Sequence, residues 1–397
     1  MIPYKKTEEE IRALAPQIYA YRKILHQHPE CAWQEHWTTA YLKEELQALG
    51  YKIHEGEEVA GHDTGLIAEL ALGSEPCVAL RFDIDGLPVT ESTSPGHIPT
   101  REGFASQALG RMHACGHDGH MAIGLGCAHY FAKHKKELKG TLRLIFQPAE
   151  EGARGAREVV AQGWLDDVDY LLGGHIVDTD YDPLGANVIT HVTSSLATYK
   201  CDILFHGKSA HAARPEEGHN CIHAISDFIM ATKDLPGDGF IHVGKIASGS
   251  TRNIIADYGE MAVETRAHST KRNEELVALL DHHLEKSTKK YGVTYEKIGM
   301  GSAPSLACHL PLANRLDALY GSCSLLRPSS LKDVAFRASE DVAHMQARVL
   351  EKGGATVFFL FPTPLAADLH QHNFDFPMET LLTGLCAYVL AVLDLMK

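Results

Sequence analysis

The stretch VALRFDI, residues 78–84, is apolar at every position except Arg81 and Asp83. A run so nearly apolar fits a strand covered on both faces, as in a sheet with helices on either side. Periodicity predicts helices near 7–27 and 36–49 before it, with strands at 51–54 and 65–72. After it come a helix near 119–134, the strand TLRLIFQ at 141–147, a helix at 154–163 and the apolar strand DYLLGGHI at 169–176. Strands alternating with helices in this way predict an α/β domain on a mostly parallel sheet flanked by helices.

From about residue 190 the pattern changes. A half-exposed strand at 197–207 is followed by a helix at 220–235, strands at 240–248 and 257–269, a long charged helix at 271–292 and a strand at 293–301. The order β-α-β-β-α-β is the ferredoxin-like α+β plan. The first pattern then resumes with helices near 311–325 and 339–353, the strand ATVFFLFP at 355–362 and a helix at 377–396. The expected organisation is a discontinuous catalytic domain, 1–190 and 303–397, with an inserted lid or dimerisation domain at 191–302.

A length of 397 residues suits two domains. The net charge of -14 and the lack of a basic stripe argue against a nucleic-acid partner. No apolar run approaches the ~20 residues of a membrane span, so no membrane association is expected. The start, MIPYKKTEEEIRALAPQIYAYRKIL, reads as an amphipathic helix and not as a signal peptide. Nine cysteines without a CxxC pair read as reduced thiols, which implies a cytoplasmic protein.

Open parallel sheets bind ligands beyond the carboxyl ends of their strands. Here those ends and the adjoining loops carry metal-type donors. Asp83 and Asp85 close one strand, Glu150 and Glu151 follow another, and His175 ends a third. Cys115 and His117, in MHACGHDGH at 112–120, precede a helix, and His370 and His372 follow the last strand. Thiolate, imidazole and carboxylate together suit Zn²⁺, with Mn²⁺ also able to bind. Two adjacent glutamates allow one to coordinate while its neighbour serves as general base. The number of donors predicts two divalent ions. A zinc deaminase would need H-x-E and P-C-x-x-C, and His113-Ala114-Cys115 supplies neither. H-E-x-x-H is absent, and HGKSAH at 206–211 only imitates the end of a phosphate-binding loop. A Cys-His nucleophile at Cys115 is the remaining alternative, and it would leave the glutamates and His175 idle.

The motifs RFDIDGLPVTE, GRMHACGHDGHMA, LIFQPAEEGARGA, GGHI, GKSAHAARPEEG, TRNIIAD, SEDVAHM and HQHNFDF run in order over almost the whole chain. Together they resemble the two-metal amidohydrolases that include aminoacylases, carboxypeptidases and indoleacetyl-amino-acid hydrolases. The long segment between Glu91 and Gly110 and the arginine in EEGARGAR are most similar to the p-aminobenzoyl-glutamate hydrolase branch, which is described by two related subunits.

The resemblance implies that Cys115, His117, Glu151, His175 and His370 hold the metals, with Cys115 in the bridging position. It implies that Glu150 is the general base and that Asp85 supports the metal site. It implies that His211 polarises the scissile carbonyl and that Asn253 and Arg266 bind the substrate carboxylate. An anionic product does call for a fixed cation, and arginine offers a two-pronged donor. Asp83 stands where peptidase branches have a metal histidine, so the chain departs from them there. The implied reaction is hydrolysis of an N-acyl or N-aroyl amino acid to a carboxylic acid and an amino acid. The implied assembly is a homodimer, or a heteromer with a related subunit, through the inserted domain. The competing expectation is a non-catalytic, metal-binding subunit that depends on a partner chain.

Overall fold

The computed structural model describes residues 2–397. The strands are β1 (Lys52–Glu55), β2 (Leu66–Ala71), β3 (Cys77–Asp83), β4 (Thr141–Gln147), β5 (Tyr170–Asp178), β6 (Val192–Ser195), β7 (Ala197–His206), β8 (Phe240–Ser248), β9 (Tyr258–Ala267), β10 (Thr294–Ala303), β11 (Val334–Phe336) and β12 (Ala355–Thr363). The chain divides into two compact units. The first runs through Thr193 and resumes at Leu306–Phe336 and Asp341–Lys397; the second is Ser194–Ser305 with Arg337–Glu340. The breaks fall three residues later than the sequence pattern places them. Residues 337–340 group with the second unit because the Leu196 N–H donates to the Ala338 carbonyl at 3.0 Å.

The first unit is an α/β layered fold. Its sheet has the order β1-β2-β4-β3-β5-β12. The four strands β4, β3, β5 and β12 are parallel, while β1 and β2 add an antiparallel edge. β3 is buried at all seven positions, its two charged members Arg81 and Asp83 paired at 2.7 Å. Val78, Leu80 and Phe82 join the core beneath helices Tyr4–His26, His117–His134, Leu310–Tyr320 and Glu379–Leu395. The other face carries helices Gly155–Ala161 and Val342–Glu351, and Phe358 and Val342 both pack around Gly173 there. Each fully buried aliphatic or aromatic side chain in these layers contributes roughly 1.5–3 kcal/mol.

The register sets where the site lies. Asp83 pairs with Gln147, so the loops after β3 and β4 leave the sheet side by side. β5 runs on to Asp178, so His175 sits inside the strand rather than at its end; pairing with β12 continues from Ala355↔Tyr170 to Thr363↔Asp178.

The second unit has the order β10-β7-β9-β8, antiparallel throughout. Helices Cys221–Thr232 and Thr270–Tyr291 cover one face, burying Cys201, Ile203, Phe205, Phe228 and Leu280. The connection β7-helix-β8-β9-helix-β10 is the ferredoxin-like order. The short strands β6 and β11 form a separate two-stranded sheet that periodicity does not signal. Among the described residues, no helix is long and apolar enough to cross a membrane.

Candidate metal centre

Four segments distant in sequence meet beyond β3 and β4. Cys115 and His117 come from the turn into helix His117–His134, where Gly116 adopts φ +85°. Glu150 and Glu151 follow β4, His175 lies on β5, and His370 sits in the loop after β12. The donor atoms of Cys115, His117 and His175 lie within 4.8 Å of one another, as do those of Cys115, Glu151 and His370. A third overlapping set is His117, Glu150 and Glu151. Cys115 belongs to the first two sets.

Hydrogen bonds to backbone carbonyls fix Nδ1 of both His117 and His175. His117 Nδ1 donates to the Asp85 carbonyl at 2.8 Å, and Nε2 is buried without a hydrogen-bond partner. His175 Nδ1 donates to the Ile176 carbonyl at 2.7 Å, leaving Nε2 3.4 Å from Cys115 Sγ. Backbone carbonyls that fix Nδ1–H and free Nε2 are the usual support of metal-binding imidazoles. Burial, together with His120, holds His175 well below the ordinary imidazole range, so it is neutral and its lone pair is free. Glu151 Oε1 is also buried without a hydrogen bond, with His370 Nε2 3.4 Å away. Burial raises the Glu151 carboxyl, but His370 and His117 outweigh it and hold the group below its ordinary value. Unpartnered imidazole and carboxylate atoms beside a thiol fit divalent metal ions, since such groups are costly to bury otherwise.

Asp83 and His120 are satisfied without a metal. Asp83 Oδ2 accepts from Arg81 at 2.7 Å and Oδ1 from His120 at 2.6 Å. His120 Nε2 accepts the Ile176 N–H at 3.1 Å. Asp85 is 1% exposed, and its two oxygens accept the N–H groups of Glu150 at 3.2 Å and Glu151 at 2.9 Å. The next turn is close-packed, since a Cβ on Gly155 would lie 1.7 Å from the Pro148 carbonyl.

His372 is not drawn to the centre: its carbonyl accepts from Ser92, and it lines a cavity of about 340 Å³ with Ser92, Ser94 and His97. Arg154 turns back on its own loop, donating to the Glu151 carbonyl at 3.3 Å. His113 is buried, pushed down to about 3 by burial, and neither ring nitrogen has a hydrogen-bond partner.

In the second unit, His211 and Asn253 are exposed on neighbouring segments joined by the Ala212 N–H to Asn253 carbonyl bond at 3.0 Å. Arg266 on β9 is gripped by Glu264 through Nε at 3.1 Å and Nη2 at 3.2 Å, so an incoming carboxylate would have to share it.

Sequence reasoning misses Glu35, Arg22, His26 and Glu91. Glu35 is fully buried, accepts the Ala149 N–H at 2.8 Å and is pushed up to about 8 by burial and by Asp85. His26 bridges Asp118 and Glu91 at 2.9 Å each. Burial lowers the His26 pKa, but hydrogen bonds to the two carboxylates outweigh it and push it up to about 9. The available signal is position: Arg22 shares the buried stripe of its helix with Ile11, Ile18 and Leu25.

The chain is similar to several known proteins. It is 34% identical to a p-aminobenzoyl-glutamate hydrolase subunit of Escherichia coli, with 94% of each chain covered. It is 34% identical to indole-3-acetyl-aspartic acid hydrolase of Enterobacter agglomerans, with 93% of each covered. A solved structure from Bacillus subtilis, described as a dinuclear metal-binding peptidase from the M20 family, superposes with a TM-score of 0.73 at 26% identity, covering 97% of this chain and 99% of that one. The profile of peptidase family M20/M25/M40 matches residues 79–394, and the chain belongs to that family.

Proposed function

We propose that this chain hydrolyses the amide bond between an acyl or aroyl group and an amino acid, with two divalent ions held by Cys115, His117, Glu151, His175 and His370. The observation that carries the reading is the pair of donor triads that share Cys115. Zn²⁺ and Mn²⁺ both suit this mixture of sulfur, nitrogen and oxygen donors. Bound ions of this kind polarise a carbonyl and make water a stronger acid.

Glu150 takes a proton from the attacking water onto its carboxylate and returns it to the leaving nitrogen. Asp85 holds Glu150 and Glu151 through their backbone N–H groups and so acts as a positioning residue. His211 donates toward the developing oxyanion, while Asn253 and Arg266 take the carboxylate of the amino acid. The substrates named for the two bacterial hydrolases both release an acidic amino acid, which makes p-aminobenzoyl-glutamate and indole-3-acetyl-aspartate the first substrates to try.

The test is metal analysis of the purified chain together with hydrolysis of these two compounds. Two ions per chain with turnover is the expected result. A chain that binds no metal, or binds two and turns over no N-acyl amino acid, refutes the reading. The E. coli relative is one subunit of its hydrolase, which favours one second reading: a heteromer with a related chain through the inserted unit. Activity that arises only on adding such a chain would establish it.

A further inference from the structure

Arg22 lies on helix Tyr4–His26, far in sequence from every proposed ligand, yet it is 1% exposed. Its guanidinium spreads over three groups. Nε donates to Asp118 Oδ2 at 3.1 Å, Nη2 to Asp375 Oδ1 at 2.5 Å and Nη1 to the Phe376 carbonyl at 2.9 Å. The Phe376 ring centre lies 3.5 Å from the guanidinium carbon. We propose that Arg22 is a positioning residue of the metal centre, clamping the segment that carries His117 to the loop that carries His370. The proposal rests on the reading of those histidines as ligands.

The clamp acts on both halves of the site. Asp118 directly follows His117. Asp375 closes the His370 loop, because its carbonyl accepts the Ala366 N–H at 2.8 Å. His370 itself is weakly held. Its side chain is 53% exposed, and its backbone N–H donates to the Ala114 carbonyl at 2.7 Å. It also has φ +66°, a left-handed conformation that a histidine keeps only where the surroundings over-determine it. The bonds of Arg22 to Asp375 and to the Phe376 carbonyl supply that constraint.

Stability alone is a poor reason for this arrangement. Buried ion pairs are often no more stabilising than apolar side chains of the same volume. A planar fork aimed in three directions is what arginine offers and lysine does not. A second arm reinforces the first: Asp118 Oδ2 accepts from His26, His26 meets Glu91, and Glu91 accepts from His97 and from the Ser106 N–H. Ser92, beside Glu91, donates to the His372 carbonyl at 2.8 Å. The segment from Glu91 to Gly110 is therefore tied to the same two parts of the metal site.

The experiment compares metal affinity and stoichiometry of the full chain, wild type against Arg22→Gln, by equilibrium dialysis with Zn²⁺ and with Mn²⁺ well below the unfolding temperature. Partners that orient metal ligands typically change metal affinity 10- to 100-fold. The expected result is that the ion held through the exposed His370 is weakened by about that factor and the ion held through the buried His117 by less, with kcat restored as metal concentration rises. A structural defect alone would lower thermal stability without metal rescue. Folded Arg22→Gln that binds both ions with wild-type affinity overturns the proposal. If that variant does not fold, Asp375→Asn decides, since it keeps the Arg22–Asp118 pair; wild-type affinity for both ions in Asp375→Asn overturns the proposal equally. Wild-type protein that binds no metal would instead overturn the proposed function.

Discussion

Asp85→Asn is the substitution that separates positioning from catalysis most cleanly. The side chain keeps its shape, its burial and one acceptor oxygen. In the native site both oxygens accept backbone N–H groups, from Glu150 at 3.2 Å and Glu151 at 2.9 Å, in a residue 1% exposed. The asparagine amide can serve only one of them and points N–H against N–H at the other. A lost hydrogen bond to a charged acceptor is worth about 1.5–3 kcal/mol, and a buried donor left unsatisfied costs about 1–3 kcal/mol. Part of this is relieved by movement of the loop, which is the displacement of Glu150 that matters. If roughly 3 kcal/mol is felt at the transition state, kcat falls about 100-fold, since 1.36 kcal/mol is a factor of ten. The assay is steady-state hydrolysis of an N-acyl amino acid at saturating metal, with metal content measured in parallel. The expected signature is a fall in kcat with KM little changed. A kcat within threefold of wild type in a fully metal-loaded variant would show that the two backbone hydrogen bonds do not place the general base.

Glu150→Gln should retain both metals while losing hydrolysis almost completely, because the amide cannot take a proton; an active, metal-loaded variant removes Glu150 from the general-base role. His211→Ala should lower kcat about 10²–10³-fold, the usual effect of losing one oxyanion donor, and a kcat within threefold of wild type would end that assignment. Burial and Glu151 push the Cys115 thiol well above its ordinary value, and His117 is raised well above its own because Asp83 and neighbouring hydrogen bonds outweigh burial. With both residues as metal ligands, as proposed, metal must displace these protons, so affinity should rise by about tenfold per pH unit for each proton released; calorimetry in buffers of different ionisation enthalpy that finds no proton release would contradict this. For His26, pushed up from 6.5 to about 9, the stabilisation is fully present below pH 6.5 and disappears as pH rises through about 9. At 1.36 kcal/mol per pKa unit the loss is on the order of 3 kcal/mol. Urea unfolding of metal-free protein should show it, and His26→Gln should flatten that part of the pH profile; an unchanged profile refutes the pairing.

The layered sheet is legible because burial on both faces writes itself into the sequence as short, mostly apolar runs. β4 begins and ends where the pattern places it, and β3 is shifted by one residue. The antiparallel edge formed by β1 and β2 is not legible, since strand direction depends on pairing partners and not on periodicity. The short β6 and β11 are too brief to show a period. Donor types near strand ends point to metal, and the resemblance proposes individual ligands. What no spacing could supply is the convergence itself, which comes from the Asp83↔Gln147 register and from a loop far beyond β5 in the chain. Arg22 is the instructive miss. A cation on the stripe of Ile11, Ile18 and Leu25 is an anomaly on the sequence alone, because an unpaired buried charge would shift its pKa or unfold the helix. Arginine cannot release its proton, so its burial requires carboxylates and carbonyls to come to it. Here they come from Asp118, Asp375 and the Phe376 carbonyl. A charge misplaced on an apolar helix face is therefore a pointer to distant segments that must meet there, even when their identity is hidden until the chain is folded.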